Sequence, residues 1–213
     1  MVLMVKIGLS VVYLFMITMN FLANSLPFYG RTTGEISSKY PTLFTPAGFT
    51  FSIWGIIYLS LAVLTVRIWF YDASFFTVRS HQVFIIMIFL VSLFNVMWLV
   101  FWHQEAMIMS LIVITLMLAT LIIAYQVMPN DTIIRTTISL YLGWISVATI
   151  ANAAIALVSL EVNMLLPDSF YLFIVLLTAI ALAVVMVIKH RDFVFLAVII
   201  WAIIGIFSRG NTP

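Results

Sequence analysis

The chain has 213 residues, of which 65% are hydrophobic and only 8% are charged. A soluble globular domain carries about 25% charged residues, so this composition excludes a soluble enzyme, a disordered chain and a nucleic-acid-binding protein. The nine Lys and Arg residues nearly balance the seven Asp and Glu residues, and there are no cysteines to form disulfide bonds or thiolate metal sites. We predict an all-α integral membrane protein.

Seven continuous apolar runs are long enough, or nearly long enough, to cross a bilayer as helices, which takes roughly 20 residues. In chain order they are 4–24, 47–69, 81–102, 106–128, 134–160, 169–188 and 193–208. The first run contains Lys6 near its start and is similar to a signal peptide, but its apolar stretch is longer than is usual for one. We therefore predict that it is retained as the first of seven transmembrane helices.

The distribution of Lys and Arg predicts the orientation. The N-terminus and the loops after the second, fourth and sixth spans hold Lys6, Arg67, Arg79, Arg135, Lys189 and Arg191. The opposite side holds Arg31, Lys39 and Arg209. Since cytoplasmic segments are enriched in Lys and Arg, the N-terminus is predicted to be cytoplasmic and the C-terminus external, in a multi-pass plasma membrane protein.

One loop is much longer than the others and covers about residues 25–46, with many Gly, Ser, Thr and Pro residues. Long loops in chains with short connections are often functional lids. An ordinary exposed connection is the alternative.

Ionisable groups are rare inside bilayers and mark functional sites, but the predicted spans contain almost none. Each acidic residue falls in a loop or at the end of a span: Glu35, Asp72, Glu105, Asp131, Glu161, Asp168 and Asp192. His81, His103 and His190 also lie at span ends. The pattern argues against a proton relay, a membrane metalloprotease and, because Lys189 precedes the last span, a retinal protein.

Aromatic and amide side chains form stripes on three of the predicted helices. Their spacing of three or four residues places them on one helix face. The stripes are Trp54 and Tyr58; Asn95, Trp98 and Trp102; and Tyr141, Trp144, Ala148 and Asn152. Two interpretations remain open: interhelical packing through amides and small residues, or a pocket with aromatic walls for a flat apolar ligand.

Four motifs resemble those of the TspO/MBR family, the tryptophan-rich sensory proteins and translocator proteins, and follow the family's order on four successive helices. They are Trp54 and Tyr58 after Pro41 and Pro46; Asn95, Trp98, Phe101 and Trp102; Tyr125, Gln126, Val127 and Pro129; and Tyr141, Trp144, Ala148 and Asn152. The resemblance implies a five-helix core over residues 1–160. Residues 161–213 would then add two transmembrane helices, as in a longer, diverged branch.

The chain also departs from the family pattern. Leu140 replaces the proline before Tyr141, and one tryptophan and one proline of the long loop are missing. The tyrosine and arginine of the family's cholesterol-recognition segment do not follow Asn152. Sterol binding of that kind is therefore not expected.

The resemblance implies a pocket for a planar hydrophobic ligand such as protoporphyrin IX or haem. The ligand-binding residues that it implies are Trp54, Tyr58, Asn95, Trp98, Tyr141, Trp144, Ala148 and Asn152. Pro46 and Phe49 would shape the loop over the pocket, and Arg31 and Lys39 would offer cations to the propionates. Such a ligand requires neither a metal site nor a resident cofactor.

Three functions are compatible with this pocket. Ligand binding for sensing or regulation is the first hypothesis, and transport of porphyrins or other lipophilic small molecules is the alternative. Enzymatic porphyrin degradation comes third, because no acid, base, nucleophile or metal site is visible in the predicted membrane interior. The expected partners are the lipid bilayer, a lipophilic small molecule and, by resemblance, a second copy of the chain in a homodimer; nucleic acid is not expected.

Overall fold

The computed structural model describes residues 1–26, 30–40, 42–43, 45–161 and 167–209, and all regular elements in these ranges are helical. The α-helices are α1 (Val2–Ser25), α2 (Thr33–Lys39), α3 (Ile53–Trp69), α4 (Arg79–His103), α5 (Met107–Val127), α6 (Thr132–Ser159), α7 (Asp168–His190) and α8 (Phe193–Arg209). Two short 3-10 helices, Gly48–Ser52 and Ala73–Thr77, precede α3 and α4. Pro41 lies outside the described residues.

Six helical segments are long and apolar enough to cross a membrane, and α8 is a shorter apolar helix of 17 residues. The ends of the seven predicted spans differ from these segments by at most two residues when the 3-10 helix Gly48–Ser52 is counted with α3. Large apolar side chains are exposed on the outside of the bundle, for example Leu177 and Ile188 on α7. A surface of this kind fits lipid, and the prediction of an all-helical, multi-pass membrane protein is confirmed.

The long loop contains a helix that the sequence analysis did not predict. Helix α2 begins with a capping box, in which the Thr32 hydroxyl accepts from the Glu35 backbone N–H and the Glu35 carboxylate accepts from the Thr32 backbone N–H. Such a cap satisfies backbone donors that the first turn of a helix leaves unpaired. The loop thereby presents an ordered surface to the end of the bundle.

Helix α6 occupies the centre of the bundle and packs against α3, α5 and α8. Its residues Ile134, Ile138, Tyr141 and Ile145 are fully buried. Helix α4 packs against α1 and α5, whereas α7 packs chiefly against α8. The core is therefore shared by α1 and α3 to α6, with α8 against its central helix and α7 outside it.

A carboxylate in the turn between α7 and α8 is buried, which the sequence analysis did not anticipate. Asp192 is only 3% exposed. Its Oδ2 accepts from the Tyr125 hydroxyl at 2.8 Å and from the Ser139 hydroxyl at 2.5 Å, and its Oδ1 accepts from the Phe195 backbone N–H. Asp192 thus ties α5 and α6 to the start of α8, so that its burial is matched by hydrogen bonds.

Candidate functional site

Four tryptophans meet where α3, α4 and α6 converge. The Trp54 ring stacks on Trp98, with 5.8 Å between their centroids, and contacts the edge of Trp144 at 6.1 Å. Trp98 in turn stacks on Trp102 at 5.6 Å. Stacked and edge-to-face pairs at these distances are favourable aromatic contacts. The stripes predicted on separate helices therefore face one another inside the bundle.

A cavity lies beside this cluster, with a volume of about 40 Å³, enough for a few water molecules. Its walls come from α2, α3, α4, α6, α8 and the segment before α3. They comprise Thr33, Ser37, Pro46, Phe51, Trp54, Trp98, Trp102, Trp144, Val147, Ala148, Ala151, Asn152, Ile155, Ala202 and Ile206. None of these residues is charged.

Three buried polar atoms on residues of the cavity wall have no hydrogen-bond partner within the described part of the chain. They are the indole Nε1 of Trp98, the indole Nε1 of Trp144 and the amide Oδ1 of Asn152. The Asn152 Nδ2 donates to the Ser110 hydroxyl at 2.8 Å, so this amide is anchored on one side only. An unpaired buried polar group costs roughly 1–3 kcal/mol. Side chains of the cavity wall thus carry two donors and one acceptor that are unpaired.

The remaining predicted polar residues form a hydrogen-bonded network outside the cavity wall. Asn20 of α1 donates to Asn95 at 2.7 Å and accepts from the Tyr58 hydroxyl at 2.6 Å. Asn95 donates to the Tyr141 hydroxyl at 3.0 Å. These side chains satisfy one another across four helices, as polar groups in a membrane bundle do when they hold helices together.

Helix α8 both completes the cavity and holds the segment that leads into α3. Ala202 and Ile206 contribute to the cavity wall. The Trp201 indole donates to the Thr50 carbonyl at 3.0 Å, and the Ala47 backbone N–H donates to the Gly205 carbonyl at 2.9 Å. We call residues 45–52 the connecting segment. Its position over the cavity is fixed by α8.

The family model of TSPO-like proteins matches residues 6–213. The chain belongs to the TSPO-like protein family. The match confirms the predicted resemblance and continues past residue 160 through α7 and α8. No curated protein and no solved structure matches the chain significantly.

In this TSPO-like protein, the two cations predicted for ligand propionates lie outside the cavity wall. Arg31 and Lys39 both pair with the Glu105 carboxylate, which also accepts from the Tyr40 hydroxyl at 2.6 Å. The bonds from Lys39 and Tyr40 lower the pKa of Glu105, and the bond to Glu105 raises the pKa of Tyr40. The cluster joins α2 to the turn between α4 and α5, and one of its two positive charges is neutralised.

The predicted site residues thus do not all line the cavity. The structure brings Pro46, Trp54, Trp98, Trp144, Ala148 and Asn152 together around the cavity. Tyr58, Asn95 and Tyr141 lie in the neighbouring polar network, whereas Phe49 is about half exposed and packs edge-on against Trp201 at 5.4 Å.

Sequence reasoning missed the wall residues on α2 and α8. Thr33 and Ser37 belong to a helix that was interpreted as loop, and Ala202 and Ile206 lie beyond the motifs that carried the resemblance. One signal was present: Ala202 and Gly205 are small residues on one face of the helix, and small residues let helix backbones approach closely.

Proposed function

We propose that this protein binds a lipophilic aromatic molecule with at least one hydrogen-bonding group in the tryptophan-lined cavity, for sensing or regulation. The observation that carries the proposal is the set of three unpaired buried atoms on Trp98, Trp144 and Asn152. A ligand that pairs with them recovers part of the free energy that their burial costs.

The lining defines the chemistry of the ligand. The two indole N–H groups call for an acceptor such as a carbonyl or carboxylate oxygen, and the Asn152 oxygen calls for an N–H or O–H donor. The other walls are aromatic rings and alkyl groups, which favour a flat, largely apolar body. The described wall offers no cation, so an anionic ligand would find its ion partners at the rim.

A porphyrin satisfies this chemistry, because it has a planar aromatic ring, pyrrole N–H donors and carboxylate acceptors. It does not fit the volume, since about 40 Å³ holds only a few waters. Porphyrin binding therefore requires the cavity to open, which would displace α2 from its contacts with Glu105 or the connecting segment from its contacts with α8. No histidine lines the described wall, so haem would be held through its ring and edges.

We place binding before catalysis because the described wall has no carboxylate, imidazole, amine or thiol. General acid–base and nucleophilic catalysis need such groups within hydrogen-bond reach of the substrate. Porphyrin degradation would have to proceed through the aromatic rings themselves.

Transport of a lipophilic molecule is a second candidate, favoured by an adjoining apolar cavity between α6, α7 and α8. The two cavities share Val147, Ala151, Ala202 and Ile206 as a common wall. These small and aliphatic side chains separate the site from the outer helix α7. A molecule dissolved in the bilayer could enter sideways at this point, and flux of the ligand into protein-containing liposomes tests the idea.

Tryptophan fluorescence quenching by protoporphyrin IX in detergent tests the binding proposal. We expect saturable quenching in the wild type and in Trp69→Phe, which removes a tryptophan outside the cavity. Asn152→Leu and Trp144→Phe should weaken binding about tenfold, the effect of losing one buried hydrogen bond. Linear quenching that Asn152→Leu leaves unchanged would show that the cavity does not bind porphyrin, and smaller aromatic carbonyl compounds would then be titrated in the same way.

A further inference from the structure

A second site, unrelated to the tryptophan cavity, lies at the other end of the bundle between α5 and α7. Helix α7 packs chiefly against α8 and leaves a groove of about 600 Å³ beside α5, floored by the start of α6. This volume lies within the range of roughly 300–1,000 Å³ that small-molecule sites occupy. The groove is lined by Ile122, Tyr125, Gln126, Met128, Arg135, Leu142, Met186, Lys189 and His190.

The end of the groove is cationic. Arg135 in the first turn of α6 and Lys189 in the last turn of α7 both line it, and both side chains are exposed. The Arg135 guanidinium donates to the carbonyl of His190, the residue that follows Lys189 in the chain. A guanidinium has five N–H donors, so this bond leaves others for an anion. Lys189 makes no hydrogen bond or ion pair within the described residues.

Two carboxylates at this end of the bundle have other partners than the cations of the groove. The Asp192 carboxylate is buried behind Tyr125 and Ser139 and accepts a hydrogen bond from each of them. Asp131 is paired with Arg67 through a contact of 2.9 Å. Neither carboxylate is among the residues that line the groove, whereas the cations Arg135 and Lys189 are.

The other end of the groove is apolar and faces the membrane. Ile122, Leu142 and Met186 line it, and Ile122 is 43% exposed on the outer surface of α5. A soluble anion would use the cations but not this wall. A molecule with a phosphate at one end and hydrocarbon at the other matches both parts.

We propose that this groove binds an anionic phospholipid, with the headgroup phosphate between Arg135 and Lys189 and an acyl chain along Ile122 and Met186. Basic pockets between transmembrane helices are a known way of holding anionic headgroups. The groove lies at the end that the charge distribution predicts to be cytoplasmic, where anionic lipids give the leaflet its negative potential. The bound lipid would fill the space beside α7 and support its position.

Native mass spectrometry of the full-length protein in neutral detergent tests the site. The probes are dimyristoyl phosphatidylglycerol and dimyristoyl phosphatidylcholine, which differ in net charge but have the same chains. We expect the phosphatidylglycerol to be retained at lower concentration. Lys189→Ala should weaken its binding about fivefold, since one cation near the surface is removed.

Arg79→Ala is the matched control, because Arg79 is an exposed cation at the same end of the bundle and outside the groove. It should leave phosphatidylglycerol binding unchanged. The double variant Arg135→Ala/Lys189→Ala should show a loss of roughly thirtyfold, with circular dichroism as the check on folding, since Arg135 also bonds to His190. Lys189→Ala alone breaks no described bond and suffices for the test.

Three results would overturn the proposal: equal retention of both lipids, an equal loss of binding in Arg79→Ala and Lys189→Ala, or full displacement of the lipid by glycerol 3-phosphate. The last result would identify the groove as a site for soluble phosphates. None of these outcomes depends on whether the tryptophan cavity binds a porphyrin.

Discussion

At the scale of single residues, Glu105 has a role that its place in a short turn does not suggest. The residue has a positive φ of 56° between α4 and α5, and its carboxylate contacts Arg31, Lys39 and Tyr40. All three partners come from the loop next to the cavity. A single carboxylate therefore fixes α2, two of whose residues line the cavity.

We expect Glu105→Gln to lower the free energy of unfolding at neutral pH by about 1 kcal/mol, the contribution of a partly exposed ion-pair cluster. Because the pKa of Glu105 is below its usual 4.5 in the folded protein, the wild type gains stability from this carboxylate at pH above 4.5. The gain disappears as the pH falls through the folded pKa and the carboxyl group becomes protonated. Thermal unfolding of both proteins between pH 3 and 7, roughly the range over which carboxylates titrate, measures the difference.

Glu161→Gln provides the control for this series. Glu161 is an exposed residue in another positive-φ turn, and its carboxylate has no hydrogen-bond or ion partner within the described residues. Its substitution should change the unfolding temperature little at any pH. A pH-independent difference between the wild type and Glu105→Gln would rule out the ion-pair explanation.

These residues also show where sequence reasoning reaches its limit. The period of 3.6 residues and the family motifs placed Trp54, Trp98, Trp144 and Asn152 on inward faces, and the structure brings them to one cavity. The Glu105 cluster could not be predicted in this way. It depends on how a loop helix sits against a turn that is more than 60 residues away.

At the scale of elements, α8 contacts the connecting segment so closely that one position admits no side chain. A Cβ at Gly205 would lie 2.1 Å from the Thr50 hydroxyl oxygen and 2.9 Å from the Thr50 Cβ. The Arg209 guanidinium also donates to the carbonyls of Thr42 and Thr45 at 3.3 Å. Helix α8, which was predicted to lie outside the five-helix core, is thus part of the structure around the cavity.

We expect Gly205→Ala to destabilise the protein by about 1–3 kcal/mol, the usual cost of overpacking, and to displace the connecting segment from α8. Gly55→Ala is the matched control, because a Cβ at Gly55 meets nothing within 4 Å and alanine has the higher helix propensity. Thermal unfolding and the emission of Trp201 report the two effects. Equal stability of the two variants would mean that the segment is not held by this contact.

The seven apolar spans and their approximate ends followed from the sequence because the thickness of the bilayer sets the length of such runs. The role of α8 did not follow, because a short apolar helix gives no sign of which neighbour it contacts.

The prediction of two domains, 1–160 and 161–213, stays a prediction, as does a homodimer. The contacts of α8 with α6 show how tightly the last helix joins the preceding ones.

At the scale of the whole molecule, the charged clusters lie at the two ends of a bundle whose outer surface is apolar. One end has Glu105 with Arg31, Lys39 and Tyr40, and the other has Asp131, Arg135, Lys189 and Asp192. The excess of Lys and Arg at the second end predicts that it faces the cytoplasm.

Two single-cysteine variants test this orientation, since the chain has no cysteine of its own. Ser80→Cys lies in the first turn of α4, and Ser38→Cys lies in α2; both positions are exposed. In intact cells, a membrane-impermeant maleimide should label Ser38→Cys and spare Ser80→Cys until the membrane is permeabilised. Labelling of Ser80→Cys before permeabilisation would reverse the orientation.

The position of α8 in the chain sets the order in which the cavity can be made. Ribosomes synthesise α1 to α6 before α8, so the side chains of Trp98, Trp144 and Asn152 enter the membrane while Ala202 and Ile206 are still missing from the wall. The backbone groups of Ala47 and Thr50 also lack their partners on α8 until then. The cavity therefore closes after translation has passed α8, and a ligand of the proposed kind that needs the closed cavity would distinguish chains that contain α8 from those that do not yet contain it.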